Sequence, residues 1–300
     1  MGLDTNGVKL MLAAKSMGVN FERTVTVGRQ NLYVDQREFK RIVGEFGFNS
    51  INVKKLYEED GGYAGSFLSF LGAAIVDSID ASDYESATII HDMNKPLPED
   101  CKSKYTCVIE SGTLEHVFNF PIAIKNCMEL LEENGWYVGL TPTNNFLGHG
   151  FYQFSPELYY RIFCEANGFE LRSMLFYVED DQTGFYEVVD PVKVHQRVEM
   201  VNCYPSYLFV LAQKIKKKDI FGKFPMQSDY ENLVWHKSVT EKRKFEKKRF
   251  IGGKLLKSLV PGFIKRRAGK ILNHYDLLDN PTGRSVPGFF KAKSIHPNKS

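Results

Sequence analysis

An α/β architecture, with a mostly parallel sheet covered by helices on both faces, is predicted by three observations. Strand-like runs rich in β-branched and aromatic residues alternate with helical patterns through the first two-thirds of the chain. The 300 residues are 43% hydrophobic, enough for a full core. A change in charge then separates residues 1–213, read as one domain, from a basic extension, 214–300.

In chain order, a helical pattern over 8–17 precedes a strand over 23–27, and a second helix over 35–44 leads to strands over 73–79 and 87–91. A strand over 105–110 is followed by a helix over 120–131. Its apolar positions are Ile122, Ile124, Met128, Leu130 and Leu131, with Pro121 suited to the first turn and Asn134-Gly135 to a C-terminal stop. A strand over 136–141 comes next, then a helix over 156–166 with Ser155 as its N-cap and Asn167-Gly168 as its stop. Strands over 169–178 and 207–214 complete seven. The polar, turn-rich residues 179–205 between them read as an insertion that covers the substrate.

Several classes are excluded. Asp4 and the lack of a charged-then-apolar layout argue against a signal peptide, and the longest nearly apolar run, 66–76, is too short for a membrane span. The five cysteines are odd in number and lack a C-x-x-C pair, which argues against a disulfide framework and a thiolate site and favours a reducing cytoplasm. The seven histidines show neither H-x₃-H nor H-E-x-x-H spacing, so no metal site is expected. There is no G-x-S-x-G elbow either.

Open α/β sheets bind ligands at the carboxyl ends of their strands, so the chemistry is sought there. The first end, Val27-Gly28-Arg29-Gln30-Asn31, offers a glycine that lets the chain turn close to a ligand. The second offers Asp80, with Asp77 as second choice, to accept from a ribose diol; capping by Asp80 or Ser82 is the alternative. The third is Ile90-His91-Asp92-Met93, leading into a turn at Asn94-Lys95-Pro96. The fourth is Glu110-Ser111-Gly112-Thr113-Leu114-Glu115-His116-Val117. The fifth is a long loop in which His149 stands between Gly148 and Gly150, followed by Phe151, Tyr152, Gln153 and Phe154. Its mix of polar and aromatic groups suits a substrate wall, to which Asn145, Tyr152 and Gln153 are assigned.

Across about 20–213, and most clearly at Leu114-Glu115-His116-Val117, the chain resembles class I S-adenosylmethionine-dependent methyltransferases. The resemblance implies a Rossmann-like methyltransferase fold with a seven-stranded sheet whose last strand is antiparallel, and S-adenosyl-L-methionine as cofactor. It places Gly28, Arg29 and Gln30 at the nucleotide loop, with Arg29 on the methionine carboxylate, Asp80 on the ribose, Asp92 and Met93 on the adenine, and Glu110 on the cofactor side of the central strand. The family's acid followed by G-x-G-x-G is reduced here to Gly28, with Thr26, Gln30 and Leu32 at the other positions. Glu115 and His116 would face the methyl group's path. His116 or His149 is the expected general base toward a hydroxyl acceptor, with Glu115 orienting it. The Gly28-Arg29-Gln30 turn and the segment 148–157 together resemble members that act beside surface-polysaccharide enzymes, which implies a sugar or glycan acceptor. A catalytically inactive methyltransferase-like protein, serving as a binding module, is the alternative implied by the reduced glycine loop. A dehydrogenase is disfavoured by the missing G-x-G-x-x-G.

Residues 214–300 hold 22 of the 39 Lys/Arg and 7 of the 36 Asp/Glu, a net +15, which leaves −12 for residues 1–213 within an overall +3. Basic clusters at 216–218, 242–244, 247–249 and 265–267 are interleaved with apolar residues. Residues 214–270 therefore read either as amphipathic segments in peripheral contact with an anionic membrane or as a helical arm packed on the domain or on a homodimer mate. The region contains no recognisable nucleic-acid-binding module.

Overall fold

The computed structural model describes residues 2–48, 52–179, 184–195, 197–198, 200–202, 204–231, 284–285 and 290–295. A short strand β1 (Gly2–Asp4) leads into α1 (Thr5–Ser16), whose N-cap Asp4 accepts from the Gly7 amide at 2.7 Å. The first strand of the main sheet, β2 (Arg23–Val27), is followed by β3 (Asn31–Tyr33), which pairs in parallel with β1 in a separate small sheet. Helix α2 (Gln36–Glu45) is capped by Asp35 and buries the stripe Phe39, Ile42 and Val43. Two short helices, α3 (Val53–Glu58) and α4 (Gly65–Phe70), complete the crossover to β4 (Ile75–Asp80).

Beyond β4 come β5 (Ile89–Ile90), β6 (Tyr105–Ser111), α5 (Phe120–Leu130), β7 (Leu131–Asn144), α6 (Pro156–Ile162) and β8 (Phe169–Val178). Then follow β9 (Phe185–Val188), α7 (Pro191–Val194), β10 (Met200–Val201), β11 (Ser206–Lys214), α8 (Ser228–Glu231), β12 (Arg284–Ser285) and β13 (Phe290–Lys293).

The main sheet runs β13-β9-β8-β11-β7-β6-β2-β4-β5. Neighbours from β5 to β7 are parallel, and β11 is antiparallel to both β7 and β8. The seven expected strands are thus present, with the last one reversed and wedged between β7 and β8. The sheet is larger than expected because β9 and β13 extend it antiparallel beyond β8. Alternation along the strands sends residues to two cores. Cys107, Ile109, Val138 and Phe209 face α1, α2 and α4, whereas Val108, Tyr137, Leu208 and Phe176 face α5 and α6.

Three local differences from expectation have physical causes. Asn134-Gly135 does not stop α5; the helix ends at Leu130, Leu131 already pairs with Tyr105, and Asn134 adopts φ +66° within an irregularity of β7. The carbonyls at this helix end are covered instead by the buried Lys214, whose ammonium donates to Met128 O at 3.0 Å and Leu131 O at 2.6 Å. Helix α6 is shorter than the 156–166 pattern, and Asn167-Gly168 closes a separate 3-10 turn, with Gly168 at φ +78°. The segment read as a covering insertion contributes β9, which lies between β8 and β13, so it extends the sheet.

Residues just past 213 belong to the folded unit. Ile220 is buried, the Phe221 amide donates to Asn167 Oδ1, and Ser228 donates through both its amide and its hydroxyl to Glu157. The basic clusters at 242–244, 247–249 and 265–267 lie outside the described residues. No helix among the described residues is long and apolar enough to cross a membrane.

Candidate active site

Strand order reverses between β2 and β6, and the carboxyl ends of these strands carry two adjoining groups of side chains. At the end of β2, Gly28 takes φ +70° and its amide donates to Ile79 O at 2.8 Å, which ties the turn to β4. Gln30 is buried and folds back so that its Nε2 donates to Val27 O at 2.9 Å and Gly28 O at 3.2 Å. The side chain thus braces from within a turn that glycines would leave open. Arg29 pairs with Asp60 at 3.0 Å, donates to Glu85 O and lies 3.8 Å over the ring of Tyr63.

A cavity of about 700 Å³ opens beside this turn, lined among others by Thr26, Arg29, Gln30, Asp60, Tyr63 and Ser78. Ligand pockets are commonly ~300–1,000 Å³. Asp77, on its wall, accepts from the Tyr105 hydroxyl at 2.9 Å. Asp80 ends β4 half-buried, with its Oδ1 near the Ser82 amide at 3.4 Å. Asp92 is half-buried and holds the Asn94 turn, which keeps its carboxyl below the usual range, while Met93 is buried in the α5 core.

At the end of β6, Glu110 is fully buried and its Oε1 accepts from the amides of Thr113 at 2.7 Å and Leu114 at 3.1 Å. Thr113 in turn donates to Val27 O at 2.7 Å, which locks the β6 turn to β2. The Leu114-Glu115-His116 segment forms a 3-10 turn that buries Leu114 and Glu115 and leaves His116 exposed. Burial is the main cause that pushes the carboxyls of Glu110 and Glu115 above the usual carboxylate range. It also pushes the His116 imidazole down, aided by His149.

The loop after β7 folds onto this turn. The amides of Phe151 and Tyr152 donate to Glu115 O at 2.7 and 3.3 Å, and Gly150 sits at φ +71° where a Cβ would lie 2.7 Å from that carbonyl. His149 Nε2 thereby stands 3.4 Å from Glu115 Oε1, with its ring 4.8 Å from that of His116. The structure therefore gathers Glu115, His116 and His149 into one cluster, although sequence spacing pointed to no such set.

The residues assigned to the substrate wall hold the loop together. Asn145 Nδ2 donates to Asn202 and to Tyr204 O, Gln153 Oε1 accepts from the Phe146 amide, and the Tyr152 hydroxyl donates to Phe118 O at 2.6 Å. Sequence reasoning missed Phe118 and named Phe151 only as one of the loop's aromatics; the two are 71% and 65% exposed with ring centroids 5.7 Å apart. The available signal was their place, directly after Val117 and Gly150.

No family model matches the chain, and no curated protein matches it. Among solved structures, a candidate methyltransferase from Bacillus halodurans C-125 shares 10% identity over 68% of this chain and 99% of its own, at a TM-score of 0.38. A candidate S-adenosylmethionine-dependent methyltransferase from Listeria monocytogenes shares 13% over 70% of this chain and all of its own, at 0.38. The antibiotic-resistance methyltransferase Kmr shares 12% over 70% and 94%, at 0.36. These superpositions are loose, so the fold is read from the strand order and the reversed β11 themselves.

Proposed function

We propose that the protein is an S-adenosylmethionine-dependent methyltransferase acting on a hydroxyl of a sugar, glycan or related small molecule. The observation that carries this reading is the contact of Glu115 with His149 at the end of β6, one strand away from the cavity beside the Gly28 turn. A buried acceptor there supports the fit of the cofactor: Gln30 Oε1, on the cavity wall, has no hydrogen-bond partner, and an ammonium group supplies donors. Asp80 would hold the ribose, and Arg29 borders the cavity with its charge already balanced by Asp60. When bound, S-adenosylmethionine supplies an activated methyl group.

The chain's own residues align the acceptor and handle one proton. His116 and His149 flank the acceptor's oxygen, and one of them takes its proton while Glu115 orients His149. Phe118 and Phe151 present apolar faces on which a sugar ring packs. Transfer of label from S-adenosylmethionine to a panel of hydroxylated acceptors tests the reading. Unchanged turnover in both His116→Ala and His149→Ala would remove the imidazoles from the mechanism.

The engagement of Arg29 by Asp60 and the bracing of the turn by Gln30 favour a second reading, a methyltransferase-like binding module without turnover. Calorimetric titration with S-adenosylmethionine decides: saturable binding supports the enzyme, and no heat at millimolar cofactor supports the module. The basic sequence up to 270 also supports peripheral contact with anionic lipid. The expected result is co-sedimentation of the full chain, but not of residues 1–231, with anionic vesicles.

A further inference from the structure

We infer that Glu115, His116 and His149 form a binding site for one divalent transition-metal ion. Each residue offers one ligand atom, and the three atoms lie within 4.8 Å of one another. Donors on a common ion at the ~2.0–2.2 Å typical of imidazole nitrogen and carboxylate oxygen stand about 3–3.5 Å apart. The 3.4 Å between His149 Nε2 and Glu115 Oε1 already meets this separation. His116 is exposed, so its ring needs only a rotation to close the third side.

A second observation points to a cation. Glu115 is 1% exposed, yet its Oε2 has no hydrogen-bond partner, and the buried Glu110 nearby also leaves Oε2 unpartnered. Two buried carboxyl groups with unfilled acceptors form an environment that a positive ion relieves. The backbone is committed to this arrangement, since Gly150 brings the loop onto Glu115 O at a distance no Cβ permits.

The donor set of two imidazoles and one carboxylate suits Zn²⁺, Co²⁺, Fe²⁺ or Mn²⁺ better than Mg²⁺ or Ca²⁺. Three protein ligands leave coordination positions open, the hallmark of a site that also binds a reactant. Metal binding itself does not depend on methyl transfer; what fills the ion's open position rests on that reading, under which it is the acceptor's oxygen. With the ion bound, both imidazoles would be its ligands, and the ion would lower the pKa of the coordinated hydroxyl so that its proton passes to solvent instead of to an imidazole.

The test is titration of the full chain, stripped with a chelator, with Co²⁺ followed by visible absorption and with Mn²⁺ followed by electron paramagnetic resonance. One saturable ion per chain is expected, with affinity lowered at least about tenfold by His149→Ala and by Glu115→Gln. His149 is exposed, so its variant keeps the fold even where the buried Glu115 variant fails, and circular dichroism confirms this. Absence of saturable binding at millimolar metal, or equal binding by wild type and the His116→Asn/His149→Ala double variant, overturns the site. S-adenosylmethionine titrated into the same metal-free sample tests the methyl-transfer reading separately.

Discussion

Arg29 and Asp60 form a 3.0 Å ion pair beside the turn that ends the first strand of the main sheet, each about a quarter exposed. The same carboxylate accepts from the Gly65 amide at 2.9 Å, so the pair ties the β2 turn to the start of α4. A double-mutant cycle with Arg29→Ala and Asp60→Ala, read by urea unfolding, is expected to give a coupling of about 1 kcal/mol. Additive losses would mean that the pair contributes nothing to holding the cavity wall.

Removing either imidazole of the cluster should affect turnover more than stability, because both side chains are exposed. At least one of His149→Ala and His116→Ala is expected to lower turnover about 10²–10⁴-fold, and both should leave the unfolding midpoint unchanged. Chelation separates two routes. Activity that survives chelator in wild type would come from imidazole as base, whereas activity restored only by added metal would come from the ion.

Gly150→Ala carries no chemical group into the site, yet it should impair it. At φ +71° and 2.7 Å from Glu115 O, the new Cβ forces the loop away and carries His149 with it. A cost of about 1–3 kcal/mol in stability is expected, together with weakened Co²⁺ binding. Wild-type affinity in this variant would show that the loop position is not what sets the cluster.

Glu110 gives a pH signature opposite to that of an ion-paired carboxylate. Burial raises its carboxyl above the ordinary glutamate value of 4.5 despite the amides of Thr113 and Leu114. The unfolded chain therefore ionises first as pH climbs past about 4.5, and the folded state loses stability from there toward neutrality. Glu110→Gln keeps an acceptor for the two amides and does not titrate. In the presence of chelator, the variant should gain on wild type between pH 5 and neutrality, measured as the difference in urea midpoint. A constant difference across that range would contradict the raised value.

The elements were legible wherever one segment carried its own periodicity and caps. Pro121, Asp35 and Ser155 all mark helix starts that the structure contains. Asn134-Gly135 misled because the stop it resembles is supplied from 80 residues away, by Lys214. The site divides in the same way. Glu115 and His116 were visible as neighbours in one motif, but the meeting with His149 depends on a loop folding back through Gly150, which spacing alone does not encode. The partner of Arg29 was illegible for a like reason: Asp60 arrives through an irregular crossover of short helices.

The position of β11 between β7 and β8 imposes an order on assembly during synthesis. Residues 169–178 leave the ribosome before the strand that must lie between them and the rest of the sheet. Until residue 214 has emerged, that strand has no partner on the central side, and the carbonyls of Met128 and Leu131 wait for the Lys214 ammonium. The C-terminal half of the sheet therefore closes late, after the central β2–β6 pair that precedes Gly28 and carries Glu110 has had time to form. Any nascent chain stalled before 214 exposes an unpaired β7 edge to its neighbours.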